Sequence, residues 1–205
     1  MFRSKRRDVV YPQAEHGRMA GALAAAWQRE AIPLPFESWV RGVTLHDRGY
    51  GELDDDPLGE ITQERWAGEI QTRGFRARSG DEIADLVVAL HIRRLIGDDV
   101  EHPARAALAR EIDEALGDVS AEAREADKAT QLCDSVAFAF CFEEPASSTI
   151  HGISLTYDGA ERITLDPWPL AVPELRGVVV GFAAAGYPQR LDPVVTMYVV
   201  GPLYS

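Results

Sequence analysis

Near Pro145 the hydrophobic periodicity of this 205-residue chain changes, and that change constrains its fold more than any other feature. Before it, apolar residues recur at intervals of three and four, as on one helix face. After it they alternate, as on a half-buried strand. His16, Ala20, Leu23 and Trp27 share one face of a helix opened near Pro12, and Pro33 and Pro35 end it. A second helix is predicted from Phe36, with Phe36, Val40 and Val43 facing inward, stopping at the glycines that follow His46-Asp47. Others are predicted over residues 60–71, 81–96 and 103–116, the 81–96 helix carrying a stripe of Ile83, Leu86, Val87, Leu90 and His91. Ser120 caps the last and longest, whose inward face includes Ala126, Thr130, Cys133, Asp134, Ala137 and Cys141.

Beyond Ser148, Ile153, Leu155 and Tyr157 alternate, Asp158-Gly159 turns, and Ile163 with Leu165 resumes the alternation, which predicts a hairpin. Runs at 178–182 and 194–200 extend it to four strands, too few to stand alone. The expected fold class is therefore α+β: an all-helical bundle over residues 1–145, with a small antiparallel sheet over 146–205 packed on it.

A formal charge of −12 opposes a polyanion, so nucleic acid is excluded as a partner, and membrane-surface binding is disfavoured. No apolar run is long enough to span a bilayer and no signal peptide opens the chain, so the expected location is the cytoplasm. The basic cluster Arg3, Lys5, Arg6 and Arg7 reads as a solvated terminus. Cys133 and Cys141 read as reduced core residues, too far apart along one helix for a disulfide.

Three of the five histidines, His16, His46 and His91, fall on apolar faces. A buried imidazole needs a carbonyl, a carboxylate or a metal ion at its ring nitrogens. The dyad His46-Asp47 offers one nitrogen and one carboxylate oxygen to the same cavity. Asp134 stands in an apolar run, Leu-Cys-Asp-Ser-Val-Ala-Phe, where an unpaired carboxylate would cost several kcal/mol. Its cation is either Arg18 or Arg94, or a metal, and the three inward histidines favour the metal. His91 stays open between a ligand to a second ion, a donor to substrate oxygen and a core histidine. The loop Asp54-Asp55-Asp56 reads as solvated or as ligands to a second ion. His102 and His151 fall in loops and carry no expected chemistry. The chain has no G-x-S-x-G elbow and no phosphate-binding loop.

Glu15-His-Gly-Arg-Met-Ala20, Leu45-His-Asp-Arg-Gly-Tyr50 and an aspartate inside a late helix together resemble the H…HD…D signature of the HD metal-dependent phosphohydrolase superfamily. More narrowly, Tyr11-Pro-Gln-Ala-Glu-His16, Ala89-Leu-His91 and Asp166-Pro-Trp-Pro169 resemble an uncharacterised bacterial family distantly akin to it. The resemblance implies an HD-like bundle in which His16, His46, Asp47 and Asp134 ligate one or two divalent ions. Such a mixed nitrogen and oxygen set suits Mn, Fe, Co, Ni or Zn. Asp47 and His91 would be catalytic, in hydrolysis of a small phosphate ester or nucleotide by a metal-activated water. A lysine that many HD hydrolases carry shortly after the dyad is missing around Tyr50-Gly51, so Arg18, Arg48, Arg93 or Arg94 would grip the phosphate. The alternatives are an HD-related di-iron oxygenase and a non-catalytic metal or ligand sensor. A homo-oligomer is compatible with all three.

Overall fold

Most helix ends follow local capping chemistry. In the computed structural model, which describes residues 1–98 and 101–203, α1 (Gln13–Ala25) follows Pro12 and α2 (Phe36–Thr44) follows Pro35. A π-helical stretch, Glu64–Gln71, runs on into α3 (Thr72–Arg76). The Asp81 carboxylate accepts from the Ile83 and Ala84 amides to open α4 (Glu82–Ile96), and Gly97, at φ 73°, closes it. α5 (Pro103–Leu116) has proline in its first turn and ends at Gly117. α6 (Ala121–Phe142) opens on Ser120, whose hydroxyl accepts from the Ala123 amide. The buried stripe of α4 is Ala84, Val87, Val88, His91, Ile92 and Ile96, while the expected Ile83, Leu86 and Leu90 are only half-buried.

The expected small antiparallel sheet following an all-helical bundle does not form. The class is broadly α+β, but the sheet has seven strands, is mixed, and draws on both ends of the chain. Its strands are β1 (Phe2–Arg3), β2 (Val9–Tyr11), β3 (Ala146–Ile150), β4 (Ile153–Tyr157), β5 (Arg162–Asp166), β6 (Leu175–Ala183) and β7 (Pro193–Pro202). They lie in the order β1-β2-β6-β7-β5-β4-β3, with β5 parallel to β7 and every other pair antiparallel. β2 adds to β6 through Val9 opposite Ala183 and Val10 opposite Phe182. The basic cluster between β1 and β2 is therefore not a free terminus. Arg7 pairs with Glu143 and donates to the Tyr11 and Thr196 hydroxyls, and Arg6 donates to the Gly159 carbonyl.

One apolar core runs under the sheet and joins Phe2, Tyr11, Leu23, Trp39 and Phe140 to Leu155, Ile163 and Val200. A smaller core sits between α4 and α5, around Val88, Ile92, Leu108 and Ile112. Two close helix approaches set the site. A methyl group on Gly17 would lie 2.7 Å from the Thr44 carbonyl oxygen, and one on Gly42 would lie 2.6 Å from the Val87 Cβ. The absence of side chains there lets α1 close on the end of α2, and α2 close on α4. Among the described residues no helix is long and apolar enough to cross a membrane.

Candidate metal centre

His16 projects from the first turns of α1, His91 from α4 and Asp134 from the middle of α6, while His46 and Asp47 occupy the turn just beyond α2. The three histidines are buried, each at 1% exposure, and the two carboxylates are nearly so. His16 Nδ1 lies 3.2 Å from Asp47 Oδ2, and His16 Nε2 lies 3.2 Å from Asp134 Oδ1. His46 Nε2 lies 3.4 Å from Asp47 Oδ2 and 3.6 Å from Asp134 Oδ1. His91 Nε2 lies 3.6 Å from Asp47 Oδ1. Around a cation with bonds near 2.1 Å, neighbouring ligand atoms sit about 3.4 Å apart, so these separations match the edges of such a shell.

Hydrogen bonding at the far side of each ring decides what it presents. The Val43 carbonyl, 2.6 Å from His46 Nδ1, can only accept, so Nδ1 carries the proton. The ring turns its Nε2 toward two carboxylate oxygens, and that nitrogen is buried with no hydrogen-bond partner. Lone pairs converging in a buried place, behind a histidine fixed by a backbone carbonyl, are the arrangement a metal ion stabilises. His91 is set the opposite way. An Arg94 guanidinium nitrogen lies 3.1 Å from its Nδ1, and guanidinium only donates, so the His91 proton sits on Nε2.

The carboxylates and imidazoles of the cluster shift one another. Burial alone would raise the Asp47 carboxyl, but His46, His16 and His91 beside it hold it well below the usual range. Burial likewise works against the Asp134 carboxylate, and His16 and His46 outweigh it. Burial pushes His16 down, but the hydrogen bonds with Asp134 and Asp47 dominate and raise it to about 10. Burial and, after it, the neighbouring His46 hold His91 below the ordinary imidazole value. Two overlapping triads can hold an ion, His16-His46-Asp47 and His46-His91-Asp134.

Arg18 and Arg48 are engaged elsewhere, whereas Arg94 reaches the cluster at His91 and Asp134. Arg18 pairs with Glu15 and Glu52 on the surface. Arg48 pairs with Asp85 and donates to the Gly74 and Ala77 carbonyls, bracing the dyad turn against α3 and α4. Arg94 pairs with Asp127, and its nearest approach to Asp134 is 3.9 Å. Arg93 pairs with Asp98 and Asp113. The acidic loop is not simply solvated. Asp54 is buried against the Met1 ammonium and accepts from the Gln13 amide, and Asp56 pairs with Arg65.

A cavity of about 200 Å³ opens onto the cluster, touching His16, Asp47, His91 and Asp134. Its other walls are Phe2, Gln13, Tyr50, Leu58, Trp66, Leu95 and Phe138. Sequence reasoning passed over Gln13 and Asp127. Asp127 stands seven residues before Asp134 on α6, a spacing of two turns that places both beside α4, and this was a signal that could have been read. Nothing local marks Gln13.

The model of a family described as a protein of unknown function, DUF3891, matches residues 2–181 of the chain. No curated protein and no solved structure matches it.

Proposed function

The chain belongs to the DUF3891 family, whose function is unknown, and from the chemistry of its own site we propose that it is a metal-dependent hydrolase of the HD-like kind, acting on a small molecule. The observation that carries this reading is the orphaned His46 Nε2, buried and aimed at two carboxylates while Val43 holds its other nitrogen. His16, His46, Asp47 and Asp134 would hold the ion. His46 offers a single free nitrogen, so the two triads that share it describe one ion rather than two, which favours hydrolysis over the di-iron oxygenase reading. When bound, a divalent transition cation supplies an electrophile that polarises a substrate oxygen and acidifies water at neutral pH.

The chain's own residues do the rest. Val43 and Arg94 fix the two tautomers, so that His46 presents a lone pair and His91 presents a proton on Nε2. That proton, on a nitrogen 3.6 Å from Asp47 Oδ1, would be donated to an oxygen or nitrogen leaving the substrate. Phe2, Trp66 and Phe138 keep bulk water from the cluster. The work belongs to the cytoplasm, where no oxidation threatens the free Cys133 and Cys141.

In the phosphate-ester form of this reading a guanidinium would grip the phosphate, and Arg18, Arg48 and Arg94, the last of which reaches the cluster, each already hold a carboxylate. The deciding experiment is a turnover screen of phosphomonoesters, phosphodiesters, esters and amides, with Mn, Fe, Co, Ni and Zn each added to metal-free protein. Turnover in any class that requires the metal and disappears in His46→Ala supports the reading. Binding of ligands with no metal-dependent turnover in any class replaces it with a sensor.

A further inference from the structure

The cavity that reaches the cluster is walled by aromatic and aliphatic side chains. Of its eleven lining residues none is lysine or arginine. The adjoining cleft of about 520 Å³, which shares Asp134 and Phe138 with it, is also free of them and carries Glu144, while a smaller cleft that shares Gln13 and Asp47 with it is lined by Arg18 and Arg48, which pair with Glu15 and Glu52 and with Asp85. The two carboxylates of the cluster would themselves balance a divalent ion, leaving none of its charge for a phosphate. Arg94, whose guanidinium reaches His91 and Asp134, is held by Asp127, and Arg48 is held by Asp85. Arg105, beside Trp66, donates to the Leu95 and Ile96 carbonyls. Burying a dianion without a paired cation is strongly unfavourable, and the chain's net charge of −12 adds to that.

An uncharged ligand meets the opposite conditions. A cavity of roughly 150 Å³ is enough for one benzene-sized ring, and this one, at about 200 Å³, exceeds it. Phe138 is 47% exposed and Leu95 is 40% exposed, which leaves apolar surface at the mouth for a ligand to cover. Two of the lining residues carry a buried polar atom without a hydrogen-bond partner, Gln13 at Oε1 and His91 at Nε2. Gln13 is 2% exposed, and its side-chain oxygen is buried and unbonded. A carbonyl oxygen accepts, so the fitting ligand brings an N–H or O–H donor.

We infer that the site takes a small, uncharged molecule with an aromatic or branched apolar body and an N–H or O–H donor, such as a carboxamide, and not a phosphate ester. The apolar body lies between Trp66, Leu95 and Phe138, and the donor meets Gln13. This narrows the hydrolase reading and rests on it for the place of the reacting group.

The test uses a matched pair, benzamide and phenyl phosphate, which share a ring and differ in charge. Binding of each to the full chain is measured by calorimetry and ligand-observed NMR, with the protein zinc-loaded and metal-free, and zinc content is determined separately by elemental analysis. The expected result is saturable binding of benzamide, weaker or no binding of phenyl phosphate, and loss of about five- to tenfold in benzamide affinity in Phe138→Ala/Leu95→Ala. Both positions are partly exposed, so the variant keeps the wild-type circular dichroism. Three results overturn the inference: phenyl phosphate binding as tightly as benzamide, benzamide binding neither form, or benzamide binding that the double variant leaves unchanged. Protein that takes up no zinc but still prefers benzamide overturns the metal reading alone.

Discussion

His16 and Asp134 lie 118 residues apart in the chain, yet the Nε2 of one is 3.2 Å from the Oδ1 of the other, and His16 Nδ1 is equally close to the dyad carboxylate. Protein stripped by chelator and reloaded should therefore take up about one equivalent of a divalent transition ion. His46→Ala and Asp134→Ala should each lose it. Loaded wild-type protein should also melt higher, by an amount equivalent to about 2.7 kcal/mol at a hundredfold excess of ion over its dissociation constant. Elemental analysis with differential scanning calorimetry checks both, and equal metal in all three proteins would sink the site.

Arg94 is assigned to positioning rather than to substrate, since its guanidinium holds Asp127 and donates to His91 Nδ1. Arg94→Met should cost roughly 10- to 100-fold in metal affinity or turnover, the range typical of residues that orient a site's side chains. A merely structural arginine would leave the His91 tautomer alone. Nitrogen-15 NMR of the imidazoles in metal-free protein should show the His91 proton no longer confined to Nε2.

Gly17 faces the Thr44 carbonyl too closely for any side chain, and Gly42 faces Val87 in the same way. Alanine at Gly42 should destabilise the fold by about 1–3 kcal/mol through overpacking. Alanine at Gly17 should do the same and also move His16 away from the dyad. Urea denaturation measures the first effect, and a metal affinity falling by more in Gly17→Ala than in Gly42→Ala would identify the second.

Glu143 ties the segment between β1 and β2 to the end of α6 through Arg7, Ser4 and Tyr11. Burial opposes its charge, but the Arg7 and Ser4 hydrogen bonds dominate and hold its carboxyl below the ordinary value of 4.5. A carboxyl lowered on folding contributes stability that is present above the unfolded value and lost as pH falls through the folded one. Glu143→Gln should thus cost about 1–3 kcal/mol at neutral pH, and the difference from wild type should shrink below about pH 4.5. Chemical denaturation from pH 7 to pH 3 decides it, and a difference independent of pH would show that charge plays no part.

What sequence by itself determined here is local. Asp81, Pro103 and Ser120 open helices, Gly97 and Gly117 close two of them, and Asp158-Gly159 turns the hairpin of β4 and β5. Each of these rests on hydrogen bonds or backbone angles within a few residues, which composition at those positions dictates. The candidate ligands could be named for a similar reason, because a histidine or aspartate on an apolar face is anomalous wherever its partner lies. The tertiary structure decided everything that depends on distant pairing. β1 and β2 are two and three residues long and show no alternation, so only the β6 edge makes them strands. Arg7 and Glu143 are 136 residues apart, and Arg94 and Asp127 are 33 apart, so no local pattern could show that these charges hold one another rather than a substrate. An ion pair is chosen by which side chains packing brings together, and packing follows the whole chain's burial of apolar surface.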